Sequence, residues 1–161
     1  MATEIERKFL LVSDDWRRLA VRAESFRQGY LSNSKRASVR VRVANDKATL
    51  NIKGMTIGIE RPEYEYELPL QDATELLDQL CERPLIEKTR HFVEFGGKLW
   101  EIDEFHGDNA GLVVAEVELA SSDEAIAMPG WVGKEVSHLE RYYNVRLTQY
   151  PYSRWTAEER G

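Results

Sequence analysis

The sequence predicts a mainly β fold of the α+β class: a closed eight-stranded antiparallel β-barrel, or tunnel, with helices packed outside. Three observations support this prediction. Most segments alternate with period two, which is typical of strands that have two different faces. One of those faces is repeatedly charged, while the other is apolar. Two amphipathic helical segments also need an apolar surface to cover, and the apolar strand faces can supply it.

The alternation predicts eight strands, with bounds good to about two to four residues. They are placed at 3–12, 25–31, 36–44, 47–54, 60–70, 86–95, 98–106 and 112–120. Asn45-Asp46 and Gly96-Gly97 predict tight hairpin turns, and residues 107–111 predict a longer loop. Consecutive strands joined by such short turns are expected to run antiparallel.

Three helices are predicted between and after the strands. Ser13, followed by two aspartates, gives a cap and an acidic first turn for a helix that ends near Val21. Residues 71–81 place leucine and alanine at helical spacing, which predicts a helix that packs on something apolar. Residues 121–128 form a shorter helix candidate, closed by a Pro-Gly pair.

The C-terminal part of the chain carries weaker signals. Residues 134–147 are expected to hold one or two helical turns around Arg141, and the last ten residues are expected to be loosely held. The chain has 161 residues, of which 42% are hydrophobic, and this is enough for one core. We therefore expect residues 1–161 to form a single domain.

Charge and cysteine content exclude several classes of function. A net charge of −6 argues against a nucleic-acid-binding exterior, because phosphate backbones select a positive surface. Cys81 is the single cysteine, so neither an intrachain disulfide nor a cysteine-based zinc site is expected. No stretch approaches the ~20 apolar residues of a membrane span. We expect a soluble, unprocessed cytoplasmic protein without nucleic-acid or membrane partners.

Like charges recur two residues apart on one face of most strands. These residues are Glu4, Glu6 and Lys8, Arg40 and Arg42, Lys53, Glu63 and Glu65, Lys88 and Arg90, Glu101 and Asp103, and Glu116 and Glu118. An exposed outer face explains any single pair equally well. The helices, however, must cover the apolar faces, so the charged faces are expected to point into the barrel. An eight-stranded barrel has room inside for side chains or one small ligand.

So many buried charges need partners, because burial costs several kcal/mol per ion even after relaxation. Carboxylate clusters suit Mg²⁺ or Mn²⁺, and Arg and Lys side chains suit phosphate oxygens. Layers of carboxylate, metal, polyphosphate and guanidinium would satisfy every group. The charge pattern thus predicts an elongated polyanion as the ligand.

The segment Glu4-Ile5-Glu6-Arg7-Lys8 resembles the ExExK signature of the CYTH family, the triphosphate tunnel metalloenzymes. Further elements follow in order over residues 3–144: Gln28-Gly29-Tyr30-Leu31, Arg40-x-Arg42, Lys53-Gly54, Glu63-x-Glu65, Glu87-Lys88-Thr89-Arg90, Asp103, Glu116-x-Glu118 and Arg141-Tyr142-x-Asn144. The stretch Glu135–Arg141 departs from the family's usual Glu-Val-Thr and short polar turn. The contribution of the tail to the site is therefore left open.

The resemblance implies an eight-stranded tunnel, dependence on Mg²⁺ or Mn²⁺ and a substrate that contains a triphosphate. It implies metal ligands at Glu4, Glu6, Asp103, Glu116 and Glu118. It implies substrate-binding cations at Lys8, Arg40, Arg42, Lys53, Lys88 and Arg90. Catalytic roles fall on Glu4, Glu6, Lys8 and Lys88, with Glu63 and Glu65 as further acidic tunnel residues. One metal would orient the triphosphate, and a second would lower the pKa of a bound water that attacks the terminal phosphorus in line. Glu4 or Glu6 would hold that water.

The expected function is metal-dependent hydrolysis of a linear triphosphate, with inorganic tripolyphosphate cleaved to diphosphate and phosphate. Two other enzymes are compatible with the resemblance, a class IV-type adenylyl cyclase and a thiamine triphosphatase. A non-catalytic module that binds polyphosphate or nucleotide is an alternative of another class. The expected partner is a small-molecule triphosphate, and the sequence leaves the oligomeric state open, a homodimer included.

Overall fold

Antiparallel β-strands are the main regular structure of the protein, for which a computed structural model describes residues 3–55 and 57–161. Within these residues the strands are β1 Thr3–Leu11, β2 Arg22–Asn33, β3 Ala37–Ala44, β4 Lys47–Gly54, β5 Glu60–Leu68, β6 Ile86–Phe95, β7 Lys98–Phe105, β8 Val113–Glu118 and β9 Val132–Glu135. The α-helices are α1 Trp16–Leu19, α2 Leu70–Gln79 and α3 Asn144–Leu147. Short 3₁₀ turns lie at Gly107–Asn109, Glu140–Tyr142 and Tyr152–Arg154.

The sheet closes on itself through its first strand. The strand order is β5-β4-β3-β2-β6-β7-β8-β1-β9, and an additional β5–β1 pairing completes the barrel. One edge of β1 pairs with β8. The other edge pairs with β5 along the first residues of β1 and with β9 along its last residues. The prediction of a closed eight-stranded antiparallel barrel is therefore confirmed, with one extra strand.

The apolar strand faces point outward, and most of them are covered, although Tyr64 and Tyr66 on β5 stay exposed. Trp16 of α1 is fully buried in a cluster with outward-facing residues of β1, β6, β7 and β8. Ala73 and Leu77 of α2 are buried against β3 and β4, where Val41 and Ala48 lie. Burying such side chains stabilises the fold by about 1.5–3 kcal/mol each. This outer packing leaves the charged faces to the barrel interior.

Helix α1 is shorter than the predicted span of residues 13–21. It begins at Trp16 and ends at Leu19. The reason is that the chain joins the sheet immediately afterwards: the backbone N–H of Val21 donates to Phe92 O at 2.9 Å, and β2 begins at Arg22. Pairing with β6 thus overrides the local helical signal.

The predicted helix over residues 121–128 is wrong. The segment forms a turn and then continues without regular secondary structure to the turn before β9. Glu124 holds the turn, since its carboxylate accepts the N–H of Ala120 at 2.6 Å and pairs with Lys98 at 2.7 Å. Ile126 packs against the outer apolar cluster that contains Trp16, Trp100 and Trp131. An isolated helix of eight residues is marginal in water, so these tertiary contacts decide the conformation.

The tail is more ordered in its packing than the sequence predicted. The expected helical turns around Arg141 are confirmed by the 3₁₀ turn there and by α3. The expectation of a loosely held C-terminus is wrong, because Trp155 is only 4% exposed and packs edge-on against Tyr142 and Tyr152 at 5.0 Å. Its indole N–H donates to the carbonyl of Tyr150 at 3.0 Å.

Strand β9 was not predicted, because four residues are too few to show alternation. Glu135 at its end pairs with Arg7 on the outer side of β1 at 2.7 Å. Ser137, within the stretch that departs from the family pattern, accepts the backbone N–H of Lys8 at 2.9 Å.

Within the described residues, no helix is long and apolar enough to cross a membrane.

Candidate active site

The barrel encloses a polar cavity of about 140 Å³ whose walls are the charged strand faces. The predicted site residues that line it are Glu4, Glu6, Lys8, Arg40, Arg42, Lys53, Glu63, Glu65, Lys88, Arg90, Glu116 and Glu118. Residues that the sequence did not single out as site residues also line it: Tyr30, Ser38, Asn51, Arg61, Glu101, Tyr143, Asn144 and Val145. The alternation of the strands therefore located the cavity walls, while the roles of the individual residues stay predictions.

Asp103 is the predicted site residue that does not line the cavity. It is fully buried, and it accepts from Lys88 Nζ at 2.6 Å and from Arg90 Nε at 2.8 Å. Burial by itself would raise the pKa of Asp103, but Arg90 and Lys88 outweigh it and lower the pKa to about 2. In this arrangement the carboxylate holds the two cations in place behind the wall.

Three carboxylates converge on one side of the cavity. One oxygen each of Glu6, Glu101 and Glu116 lies within 4.8 Å of the other two. The strand register produces this cluster, because Glu101 on β7 lies directly opposite Glu116 on β8. Burial and the neighbouring Glu116 raise the pKa of Glu6 to about 8, even though Lys8 opposes the change. Opposed like charges of this kind are destabilising without a cation.

Lys8 supplies part of that positive charge. Its Nζ lies 2.6 Å from Glu116 and 3.3 Å from Glu6, and the side chain is buried. Arg90 adds a second cation, 3.0 Å from Glu101 and 3.4 Å from Glu116, so two cations face the three carboxylates. Carboxylates at this spacing are the usual ligands of Mg²⁺ and Mn²⁺, so the residues fit a divalent cation.

A second acidic group lies where β1 meets β5. Glu4 is opposite Arg61 in the register, and it lies 3.0 Å from Lys53 Nζ and 3.6 Å from Arg61 Nε. Burial would raise the pKa of Glu4, yet Lys53 and Arg61 lower it overall. Lys53 also contacts Glu63 at 3.3 Å, and Asn51 donates to Glu65 at 3.0 Å. Glu63 and Glu65 thus hold basic and polar neighbours on the wall.

Two guanidinium groups on β3 stand apart from the carboxylates. Arg40 and Arg42 have no carboxylate within 4.0 Å in the part of the chain that the structure describes. Arg40 is buried, and its Nε lacks a hydrogen-bond partner among the same residues. Burial, followed by the charges of Arg40 and Arg90, lowers the pKa of Arg42 to about 9. Uncompensated buried cations of this kind suit an anion such as phosphate.

Two aromatic rings lie close to the basic residues at the end of the cavity where Lys88 lies. The Phe26 ring lies 4.6 Å from Arg42, 4.9 Å from Arg90 and 5.8 Å from Lys88 Nζ. Phe105 lies 5.4 Å from Lys88 Nζ on the other side. Both rings occupy inward-facing positions. The sequence could have indicated this, because each ring continues the alternation of an inward-facing strand face. They provide a cation–π floor for the basic end.

Comparison with known proteins agrees with this geometry. The model of the family described as "CYTH domain" matches residues 2–146. The inorganic triphosphatase of Acetivibrio thermocellus is 48% identical over 152 residues, which are 94% of this chain and 97% of that protein. The inorganic triphosphatase of Nitrosomonas europaea is 36% identical over 149 residues, or 90% of this chain and 96% of that protein.

A solved structure extends the similarity to three dimensions. The crystal structure of an inorganic triphosphatase superposes with a TM-score of 0.65 and 32% sequence identity. The superposition covers 92% of this chain and 95% of that chain. The resemblance inferred from the ExExK segment and the elements that follow it is thereby confirmed, and the chain belongs to the CYTH domain family.

Proposed function

We propose that this protein is a divalent-metal-dependent triphosphatase that hydrolyses inorganic tripolyphosphate to diphosphate and phosphate. The observation that carries the proposal is the division of charge inside the barrel. A cluster of carboxylates lies on one wall, and two cations without carboxylate partners lie on another. A metal-bound polyphosphate would complement both walls at once. The names of the two similar triphosphatases support the same activity.

Glu6, Glu101 and Glu116 would hold the divalent cation, for which Mg²⁺ and Mn²⁺ are the candidates. Glu118, which lies opposite Glu6 in the register, and Glu4 line the same cavity and could complete the ligand set. A cation bound there supplies charge neutralisation of phosphate oxygens and a lowered pKa for a coordinated water. The raised pKa of Glu6 fits this role, because a bound cation would replace the proton.

The basic residues would bind and orient the phosphate chain. We propose that Arg40 and Arg42, which line the cavity without carboxylate partners among the described residues, bind its oxygens directly. The other cavity-lining cations are each held by a carboxylate, which fixes their positions before substrate arrives: Lys8, Lys53, Lys88 and Arg90. Cations positioned in advance stabilise the charge that develops on the phosphate oxygens, which is the main contribution to phosphoryl transfer.

The remaining catalytic work would fall on the acidic residues of β1. Glu4 or Glu6 would hold the attacking water in line with the terminal phosphorus. Burial of both side chains excludes competing bulk water. Asp103 would orient Lys88 and Arg90. Its role as a metal ligand stays a prediction.

A phosphate-release panel tests the proposal. Purified protein is incubated with tripolyphosphate, ATP or thiamine triphosphate, each with Mg²⁺, Mn²⁺ or EDTA, and released phosphate and cyclic AMP are measured. We expect the fastest release from tripolyphosphate, none in EDTA, and a loss of about 10²-fold or more in Glu116→Gln. The matched control is Glu94→Gln, an exposed carboxylate on β6 outside the cavity.

Three results would contradict the proposal. Tight tripolyphosphate binding without phosphate release would indicate a non-catalytic module. Cyclic AMP from ATP would indicate a cyclase, and fastest turnover of thiamine triphosphate would indicate a thiamine triphosphatase.

We also propose that residues 1–161 act as one domain in the cytoplasm on a small-molecule substrate, and that neither nucleic acid nor a membrane is a partner. A homodimer stays a prediction.

A further inference from the structure

A chain of hydrogen bonds joins the C-terminal segment to the basic end of the cavity. Asn144, the first residue of α3, accepts from Lys88 Nζ at 2.8 Å and from Gln28 Nε2 at 3.0 Å through its side-chain oxygen. Gln28 in turn accepts from Arg42 Nε at 2.7 Å. Gln28 and Lys88 are almost completely buried. The segment after the barrel therefore meets the phosphate-facing cations directly.

The donors in this chain fix which way each amide points. Arg42 can only donate, so the oxygen of Gln28 must face it and the NH₂ group of Gln28 must face Asn144. Lys88 can also only donate. Both neighbours of Asn144 therefore require its side-chain oxygen, and this requirement fixes the orientation of the Asn144 amide. The NH₂ group of Asn144 is left pointing away from them.

That NH₂ group belongs to a residue of the cavity wall. Asn144 lines the cavity together with Lys88 and Arg42. Its Nδ2 makes no hydrogen bond to any of the residues that the structure describes. A half-buried amide donor next to two cations can satisfy itself with an anionic oxygen.

We propose that Asn144 Nδ2 is a phosphate-binding donor, held toward the bound phosphate chain by Lys88 and Gln28. The inference rests on the proposed function, because it assumes that the cavity holds polyphosphate. Asn144 then does two things at once: its oxygen fixes Lys88 and Gln28, and its nitrogen contacts a phosphate oxygen. The C-terminal segment contributes a binding residue that the barrel strands lack.

The segment is anchored firmly enough to deliver such a contact. Tyr143 is 4% exposed, and its hydroxyl donates to the carbonyl of Ser137 at 2.8 Å while accepting the N–H of Gly58 at 3.2 Å. Val145 is buried beside Tyr30 on the other side of Asn144. Residues on both sides of Asn144 are thus fixed to the barrel.

Two substitutions separate the two roles of Asn144. Asn144→Asp keeps an oxygen for Lys88 and Gln28 but replaces the free donor with an acceptor. Asn144→Ala removes both. If the nitrogen binds phosphate, both variants raise the KM for tripolyphosphate about tenfold or more. Because the negative charge of Asn144→Asp also repels phosphate, this result supports the inference only together with the shift of the Asn144 amide signal described below. If Asn144 only positions its neighbours, Asn144→Asp keeps a near-normal KM while Asn144→Ala does not, and the inference is wrong.

The control is Gln149→Glu, which makes the same amide-to-acid change at an exposed position five residues further along. Its KM is expected to match that of the unchanged protein. Thermal unfolding of each variant identifies any loss of folding. If Asn144→Asp does not fold, the spectroscopic measurement on the unchanged protein decides the question.

That measurement is direct observation of the side-chain amide by ¹H–¹⁵N NMR. The Asn144 NH₂ signals are assigned as the pair missing from an Asn144 variant, or from residue-selective labelling. Tripolyphosphate added in EDTA is expected to shift one amide proton of the pair downfield. Binding without such a shift would overturn the inference. Absence of binding and of phosphate release together would instead overturn the proposed function.

Discussion

Arg40→Met is expected to make the protein more stable and less active. Arg40 is 6% exposed, lies on the cavity wall and has no carboxylate within 4.0 Å among residues 3–55 and 57–161. A methionine occupies the space of the aliphatic stem of arginine without the charged guanidinium group. The substitution removes no hydrogen bond found for the Arg40 side chain, so its main effect is to abolish the cost of burying a cation.

The size of both effects follows from that environment. Replacing a buried ion pair with apolar groups of similar volume is neutral or stabilises by about 1–4 kcal/mol, and we expect removal of this single unpaired cation to stabilise within that range. For a chain of this length, 1 kcal/mol corresponds to about 2–4 °C in Tm. A charge-assisted hydrogen bond to phosphate contributes about 1.5–3 kcal/mol, which corresponds to a loss of about 10- to 150-fold in kcat/KM.

The assay combines thermal unfolding in EDTA with tripolyphosphate hydrolysis in Mg²⁺. The control is Arg18→Met, because the Arg18 side chain is 79% exposed outside the barrel. Its Tm and turnover are expected to stay close to those of the unchanged protein. A lower Tm for Arg40→Met together with normal hydrolysis would refute the reasoning, since Arg40 would then be a structural residue and not a binding one.

Three further predictions concern the metal cluster and the tail. Glu101→Gln removes one of three converging carboxylates, so the Mn²⁺ concentration for half-maximal activity should rise about tenfold or more; an unchanged midpoint would exclude it as a ligand. Because the folded state raises the pKa of Glu6 from 4.5 to about 8, the proton-linked stability of the metal-free protein is fully present below pH 4.5 and lost as pH rises toward 8. Mg²⁺ should therefore raise Tm more at pH 8.5 than at pH 6, and equal shifts would argue against the assignment. Trp155→Ala should destabilise by about 3–5 kcal/mol in urea unfolding, whereas a loosely held tail would show almost no change.

The faces of the strands could be predicted because side-chain direction alternates along any extended chain. Glu4, Glu6 and Lys8 had to share one side of β1, whatever strand lay beside it. The helices then decided which side was inward, since α2 buries Ala73 and Leu77 against the apolar faces. Local geometry and burial together were enough to locate the cavity.

The composition of each cluster could not be predicted, because it depends on strand register. Glu101 and Asp103 share one face of β7 and look equivalent in the sequence. In the barrel, Glu101 lies opposite Glu116, whereas Asp103 lies opposite Val114 on one side and Arg90 on the other. One therefore joins the carboxylate cluster, and the other is held behind the cavity wall by two cations.

The segments without strong periodicity show the same limit. Residues 121–128 do not form the predicted helix, because Glu124 and Ile126 make contacts with distant residues instead. Trp155 packs in an apolar cluster with other aromatic residues. In each case, partners distant in the chain contributed more than the local propensity. Asn144 is a further example: the element Arg141-Tyr142-x-Asn144 includes it, but its contacts with Lys88 and Gln28 follow only from the fold.

By itself, the sequence determined the eight strands of the barrel, the side on which their charges lie and the family to which the chain belongs. These properties follow from alternation and from motifs a few residues long. Only the tertiary structure decided which charges meet, because closing β1 against β5 and β8 sets pairings between residues as far as 112 positions apart (118 − 6). The energy of each charged group depends on those neighbours.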